Sequence, residues 1–287
     1  MHAKSRLILK VLLNHVHNGR EDSLLRRLPT HERDAPLQIE IGEGAPSTLV
    51  IDPSTFFSQL HYSWLPPLLK IVPSSLLPCY LCALPPSYRQ PLARLLNIPQ
   101  PTTALSPRVS KHLLNALYAK ADDKPSLPVA LLPPTPLSVL LSMDKAALTL
   151  LVDRLSMYDL ADKIQRIVDK NRLKQIYTCL SVPQQKFLNT LLRKPHKIQL
   201  TEIDLSAWKE DPETLHNILH KRGLLRLAAA ISGQHPDFLW HLTHRLDTGR
   251  AAIIKKHFSE SAIPVYTPLL TEQLIDTIKY INRENAS

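Results

Sequence analysis

The chain has 287 residues, of which 44% are hydrophobic and 21% charged, with a formal net charge of +10. This balance excludes wholesale disorder, and three cysteines exclude a disulfide framework. No run of 18 apolar residues is present, which excludes a membrane-spanning helix. The length predicts about two domains.

Only 6 glycines accompany 25 prolines. Glycine scarcity disfavours phosphate-cradling loops and large β architectures. Nineteen prolines lie at or before Pro136. Proline ends helices and fixes turns, so short helices are predicted for the first half and longer ones for the second.

In chain order, a helix is predicted around Arg6–His17. Its apolar run Leu7 to Leu13 is interrupted by Lys10 and lacks a small-residue cleavage site, so no signal peptide is expected. Leu37-Gln-Ile-Glu-Ile41 alternates apolar and polar, Gly42-Glu-Gly44 follows, and then Thr48-Leu-Val-Ile51. This is a β-hairpin candidate. Asp52 and Ser54 are N-cap candidates, with Pro53 at a first-turn position. Short helices are predicted at Leu68–Ile71, Ser75–Leu84, Tyr88–Leu96 and Val109–Ala121. Ala121–Pro136 holds five prolines and reads as an interdomain connection.

From Leu137 the apolar period is helical: Leu137/Leu140/Leu141, Ala147/Leu150/Leu151, Leu160/Ile164/Ile167 and Leu173/Ile176/Leu180. Elements of roughly 8–14 residues with short polar breaks are the pattern of stacked helices. The last, Thr271–Asn285, is an amphipathic helix expected to start near Thr271 and to cap the stack.

The basic excess is +5 in each half, so no basic tail is set apart. Lys163, Arg166, Lys170 and Lys174 form one stripe at helical spacing. It reads either as a solvated helix face or as a contact for an acidic partner or lipid headgroups. Aromatic residues do not interleave with it, so no base-stacking platform is visible.

Catalytic chemistry is not apparent. No Walker loop, dinucleotide fingerprint or Gly-x-Ser-x-Gly occurs, and no nucleophile–base arrangement is specific, so an enzyme is not expected. Cys79 and Cys82 form a CxxC without a second pair, which favours packing over zinc. His216 and His220, and His241 and His244, have the spacing of helical ligand pairs but lack the zincin glutamate. No cofactor and no metal are expected. Trp64, Trp208 and Trp240 are widely spaced, and Trp240 reads as core.

Residues Leu148–Ile164 and Leu215–Ile231 match at an offset of 67, with Leu148, Leu151, Val152, Leu160, Ala161 and Ile164 falling on Leu215, Ile218, Leu219, Leu227, Ala228 and Ile231. The pattern predicts a duplicated helix–turn–helix–turn–helix unit whose copies share a core.

The stretch Gly233-Gln-His-Pro-Asp-Phe-Leu-Trp-His-Leu-Thr-His-Arg-Leu-Asp-Thr-Gly-Arg-Ala-Ala-Ile-Ile254 resembles the FliG flagellar rotor family. Leu225–Gly233 and Leu180-Ser-Val-Pro-Gln-Gln resemble it too, and the resemblance spans residues 137–258. Gln234 and Asp237 depart from the family's Glu and Gln, and the charged torque helix is missing. Phe57-Ser-Gln-Leu-His-Tyr-Ser-Trp-Leu-Pro-Pro67, with Leu84-Pro-Pro-Ser-Tyr88, is similar to SctK-like components of type III secretion sorting platforms.

The resemblance implies a mostly α fold. A Pro-rich N-terminal domain (1–120) with the hairpin candidate precedes a linker (121–136), duplicated armadillo-like, FliG-like repeats (137–260) and a capping helix (261–287). It implies a cytoplasmic adaptor, peripheral at the inner membrane at most, that links a membrane-ring protein to a FliM/FliN-like (SctQ-like) partner, as one copy in a ring assembly. The docking surface it implies is Gln234, His235, Pro236 and Asp237. The alternative reading is a helical-repeat protein that binds nucleic acid through Lys163–Lys174.

Overall fold

A computed structural model of the chain describes residues 3–16, 24–39, 52–121, 127–193, 198, 203–205 and 208–286. These are mostly helical, and no strand occurs among them. The helices are α1 (Ala3–Val16), α2 (Pro53–Gln59), α3 (Pro66–Leu69), α4 (Leu77–Ala83), α5 (Pro86–Leu95), α6 (Pro107–Ala119), α7 (Lys145–Ile164), α8 (Lys170–Cys179), α9 (Val182–Leu192), α10 (Pro212–Ala230), α11 (Pro236–Arg245), α12 (Thr248–His257) and α13 (Tyr266–Ala286).

Proline and the residue before it set most of the starts. Pro53, Pro107, Pro212 and Pro236 each occupy the first turn of a helix, where the missing N–H would have had no intrahelical partner. The preceding residue supplies the cap. Asp52 accepts from Ser54 N and Thr55 N, Ser106 from Val109 N and Asp211 from Thr214 N. Pro91 is the exception, lying inside α5.

Two sequence expectations are corrected here. Leu37 donates to the Asp34 carbonyl and Ile39 to that of Pro36, so the opening of the hairpin candidate is a turn, where Pro36 pre-sets φ. Residues 40–51 lie outside the described residues. The last helix starts at Tyr266 rather than near Thr271, because Pro268 falls in its first turn and is tolerated there.

The chain forms two compact units, residues 1–141 with 235–248, and residues 142–234 with 249–287. These divisions differ from those at 120, 136 and 260. The Pro-rich stretch is not a free connection, since Leu127, Leu131, Leu132, Leu137 and Leu140 are all buried. In the first unit, Phe56, Phe57, Leu65, Leu69, Leu81, Leu92 and Leu117 form one apolar core.

The second unit is organised around α7 and α10. These helices are 20 and 19 residues long, each capped by an aspartate, Asp144 or Asp211, that accepts from a first-turn amide. His220 contacts Asp153 and Arg226 contacts Asp159, in both cases 67 residues apart. Two contacts at one offset mean that the helices run parallel and in register. α13 packs against both. The helices that follow also recur: α8 and α11 have ten residues each, and α9 and α12 have eleven and ten. Leu180 and Leu246 end α8 and α11 in extended conformation, and both are buried.

The core of this unit contains charge. Asp159 pairs with Arg222 and Arg226, and Arg226 is 1% exposed. Arg226 also donates to Gln273 of α13 at 2.6 Å and lies over the Tyr158 ring. Arg154, likewise buried, pairs with Glu284 at 2.9 Å. Among the described residues no helix is long and apolar enough to cross a membrane.

Candidate functional site

A concave, largely apolar site lies in the first unit, between α2, the 3-10 turn Tyr62–Trp64, α3 and α11. Its lining includes Phe56, Leu60, Trp64, Leu65, Pro67, Leu68, Ile71, Lys120, Trp240 and His244, around a cavity of about 250 Å³. Four rings form a continuous stack along one wall. Trp64 and Trp240 lie on either side of His244, each 4.0 Å away between centroids, and Phe56 follows Trp240 at 5.8 Å.

Hydrogen bonds hold the residues of the stack in place. The Trp64 indole N–H donates to the Leu246 carbonyl at 2.9 Å, and the His61 amide donates to the His244 carbonyl at 2.7 Å. His244 Nδ1 donates to the Trp240 carbonyl at 2.8 Å. Residues near position 60 are thereby tied to residues near 244, which sequence spacing cannot reveal. Ile71 is 57% exposed at the rim. Among the described residues, Lys120 brings a positive charge to the lining and no carboxylate lines it. A cavity of this size is smaller than most cofactor pockets.

The turn implicated by the resemblance is partly open, with Asp237 turned inward. Asp237 is 1% exposed, and His235 caps α11 by accepting from the Asp237 amide at 3.2 Å. Gln234 is half-buried and Pro236 is exposed. The helix it opens, however, carries Trp240 and His244 into the groove. Trp240, read as core, packs against the core and lines the groove as well.

The basic stripe does not lie on one helix. Lys163 closes α7, Arg166 follows it in a turn, and Lys170 and Lys174 belong to α8. The break has a local cause: Asp169 accepts from the amides of Asn171 and Arg172 and starts a new helix.

The other motifs separate. Cys82 is buried and Cys79 half-buried on α4, both as free thiols. His241 and His244 bond to the carbonyls of Leu127 and Trp240. His216 and His220 do form a cluster, joined by Asp153.

His241 makes the stability of the first unit dependent on pH. Burial pushes its pKa below the ordinary 6.5, against the opposing pull of the Leu127 carbonyl and Asp237, while Arg245 adds to the lowering. The unfolded chain therefore takes up a proton near pH 6.5 that the folded chain refuses. Stability is full above that value and falls as the pH drops below it, levelling off once the folded group also titrates. Thermal unfolding midpoints from about pH 5 to 8 should show a shallower acid slope for His241→Asn than for the wild type. Equal slopes would refute the assignment.

Comparison with protein-family models, with curated proteins and with solved structures found no match to this chain.

Proposed function

We propose that this protein is a non-enzymatic adaptor of a type III secretion or flagellar basal body, linking a membrane-ring protein to a FliM/FliN-like platform or switch protein. The observation that carries the reading is the aromatic groove on α11, the helix opened by the His235–Pro236 turn on which the FliG resemblance rests. The recurring helix triplets support it, because armadillo-like stacking of such units builds binding surfaces rather than catalytic clefts.

The occupant is a segment of the partner that presents one large apolar side chain beside an acidic residue. The apolar lining takes the first and Lys120 the second, and the chain's charge of +10 favours an acidic partner. Ile71→Asp and Lys120→Glu change exposed positions and leave the core untouched. In a pull-down and titration against the FliM/FliN-like protein of the same cell, Ile71→Asp should weaken binding about tenfold or more, and Lys120→Glu should reduce it and flatten its salt dependence. Wild-type binding by both variants would remove the groove from the reading. Failure of the wild type to bind that protein would remove the adaptor.

A further inference from the structure

We infer that Asp153, His216 and His220 form a binding site for a zinc ion in the second unit, with Arg250 as the group that guards it. His216 and His220 stand one turn apart on α10, with ring centroids 6.0 Å apart. Asp153 reaches them from the parallel helix α7. One ligand atom from each of the three residues lies within 4.8 Å of the others.

The donor set selects the metal. Two imidazole nitrogens and a carboxylate oxygen suit zinc, whereas calcium and magnesium prefer oxygen alone. Three protein ligands leave a fourth position for water, and His216 is exposed, so the ion has a route in. The helical pair by itself has only two ligands. The third comes from a residue 67 positions before His220, delivered by the in-register packing of α7 on α10.

The hydrogen bonds around His220 define how the metal enters. Arg250 donates its Nε–H to His220 Nε2 at 2.7 Å. A guanidinium can only donate, so Nε2 accepts and the ring proton sits on Nδ1, 2.6 Å from Asp153 Oδ1. A neutral imidazole is the form that a metal requires. If Nε2 takes the ion, Arg250 is displaced directly. If Nδ1 takes it, the ring proton moves to Nε2, which can no longer accept from Arg250. Either geometry requires the guanidinium to leave His220, so Arg250 competes with the metal.

The test is a titration of the full chain with zinc chloride, by calorimetry and by thermal unfolding. The wild type should bind one zinc ion that His216→Ala does not, and His216→Ala should fold normally because the position is exposed. Asp153→Asn should weaken that binding about tenfold or more. Arg250→Gln should tighten it several-fold, and unfolding without metal identifies any variant that is merely destabilised. Equal zinc stoichiometry and affinity in the wild type and His216→Ala would overturn the site. Unchanged affinity in a folded Asp153→Asn protein would overturn the three-residue set. Unchanged or weaker affinity in a folded Arg250→Gln protein would overturn the guard.

Discussion

Replacing Gly223 with alanine should destabilise the protein by about 2–3 kcal/mol, although the same change in an exposed helix would stabilise it by about 1 kcal/mol. Gly223 lies inside α10 and is buried. A Cβ built on it would sit 1.9 Å from the carbonyl oxygen of Val152 on α7. That oxygen belongs to the backbone and cannot turn aside as a side chain can, so the helices must separate. Separation would also pull on the in-register contacts, Asp153 with His220 and Asp159 with Arg226. The residue 67 positions earlier, Ser156, is small and fully buried too, which fits two helices in close approach. Urea unfolding would measure the loss as a lower midpoint. Val152→Ala in the same chain should not restore it, because the nearest contact is backbone. Rescue by that second change would mean that the Val152 side chain, 2.9 Å away, is the true obstacle.

Removing the carboxylate of Asp159 should destabilise the protein more, by about 3–5 kcal/mol for Asp159→Ala. Arg226 directs Nε and Nη2 at Asp159 Oδ1, at 2.8 and 2.6 Å, and Arg222 directs Nε at Oδ2, at 3.0 Å. With Asp159 gone, Arg226 keeps the Gln273 oxygen and the Tyr158 ring, neither of which carries a compensating charge. A guanidinium that is 1% exposed cannot reach water without opening the helix packing. The paired change Asp159→Leu with Arg226→Met removes both charges and should lose much less than the sum of the single changes. Unfolding free energies of the four proteins form the cycle that checks this. Additive losses would show that the two groups are not energetically coupled.

Much of the helical pattern is legible in the amino-acid sequence. The short helices expected at Ser75–Leu84, Tyr88–Leu96 and Val109–Ala121 correspond to α4, α5 and α6 within about two residues, because proline and cap residues act locally on their own chain. The 67-residue offset is legible for the same reason, as an apolar pattern repeated along the chain. The opening of the hairpin candidate is a turn instead, since alternation over five residues is a weak signal beside a proline. The basic stripe fails because spacing alone assumes one helix through Asp169, whose side chain caps a new one.

Composition, proline placement and apolar periodicity therefore determined by themselves that the chain is mostly helical and where the short helices of its first half begin. These are properties of short windows, set by backbone sterics and by the unpaired amides of a helix's first turn. Tertiary structure alone decided which helices share a unit, so that α11 joins the first unit although its sequence belongs to the second repeat. It alone brought Trp64 beside His244, and Asp153 beside His216 and His220. Such meetings depend on how buried faces pack across long stretches of chain, and no periodicity of the intervening residues encodes them.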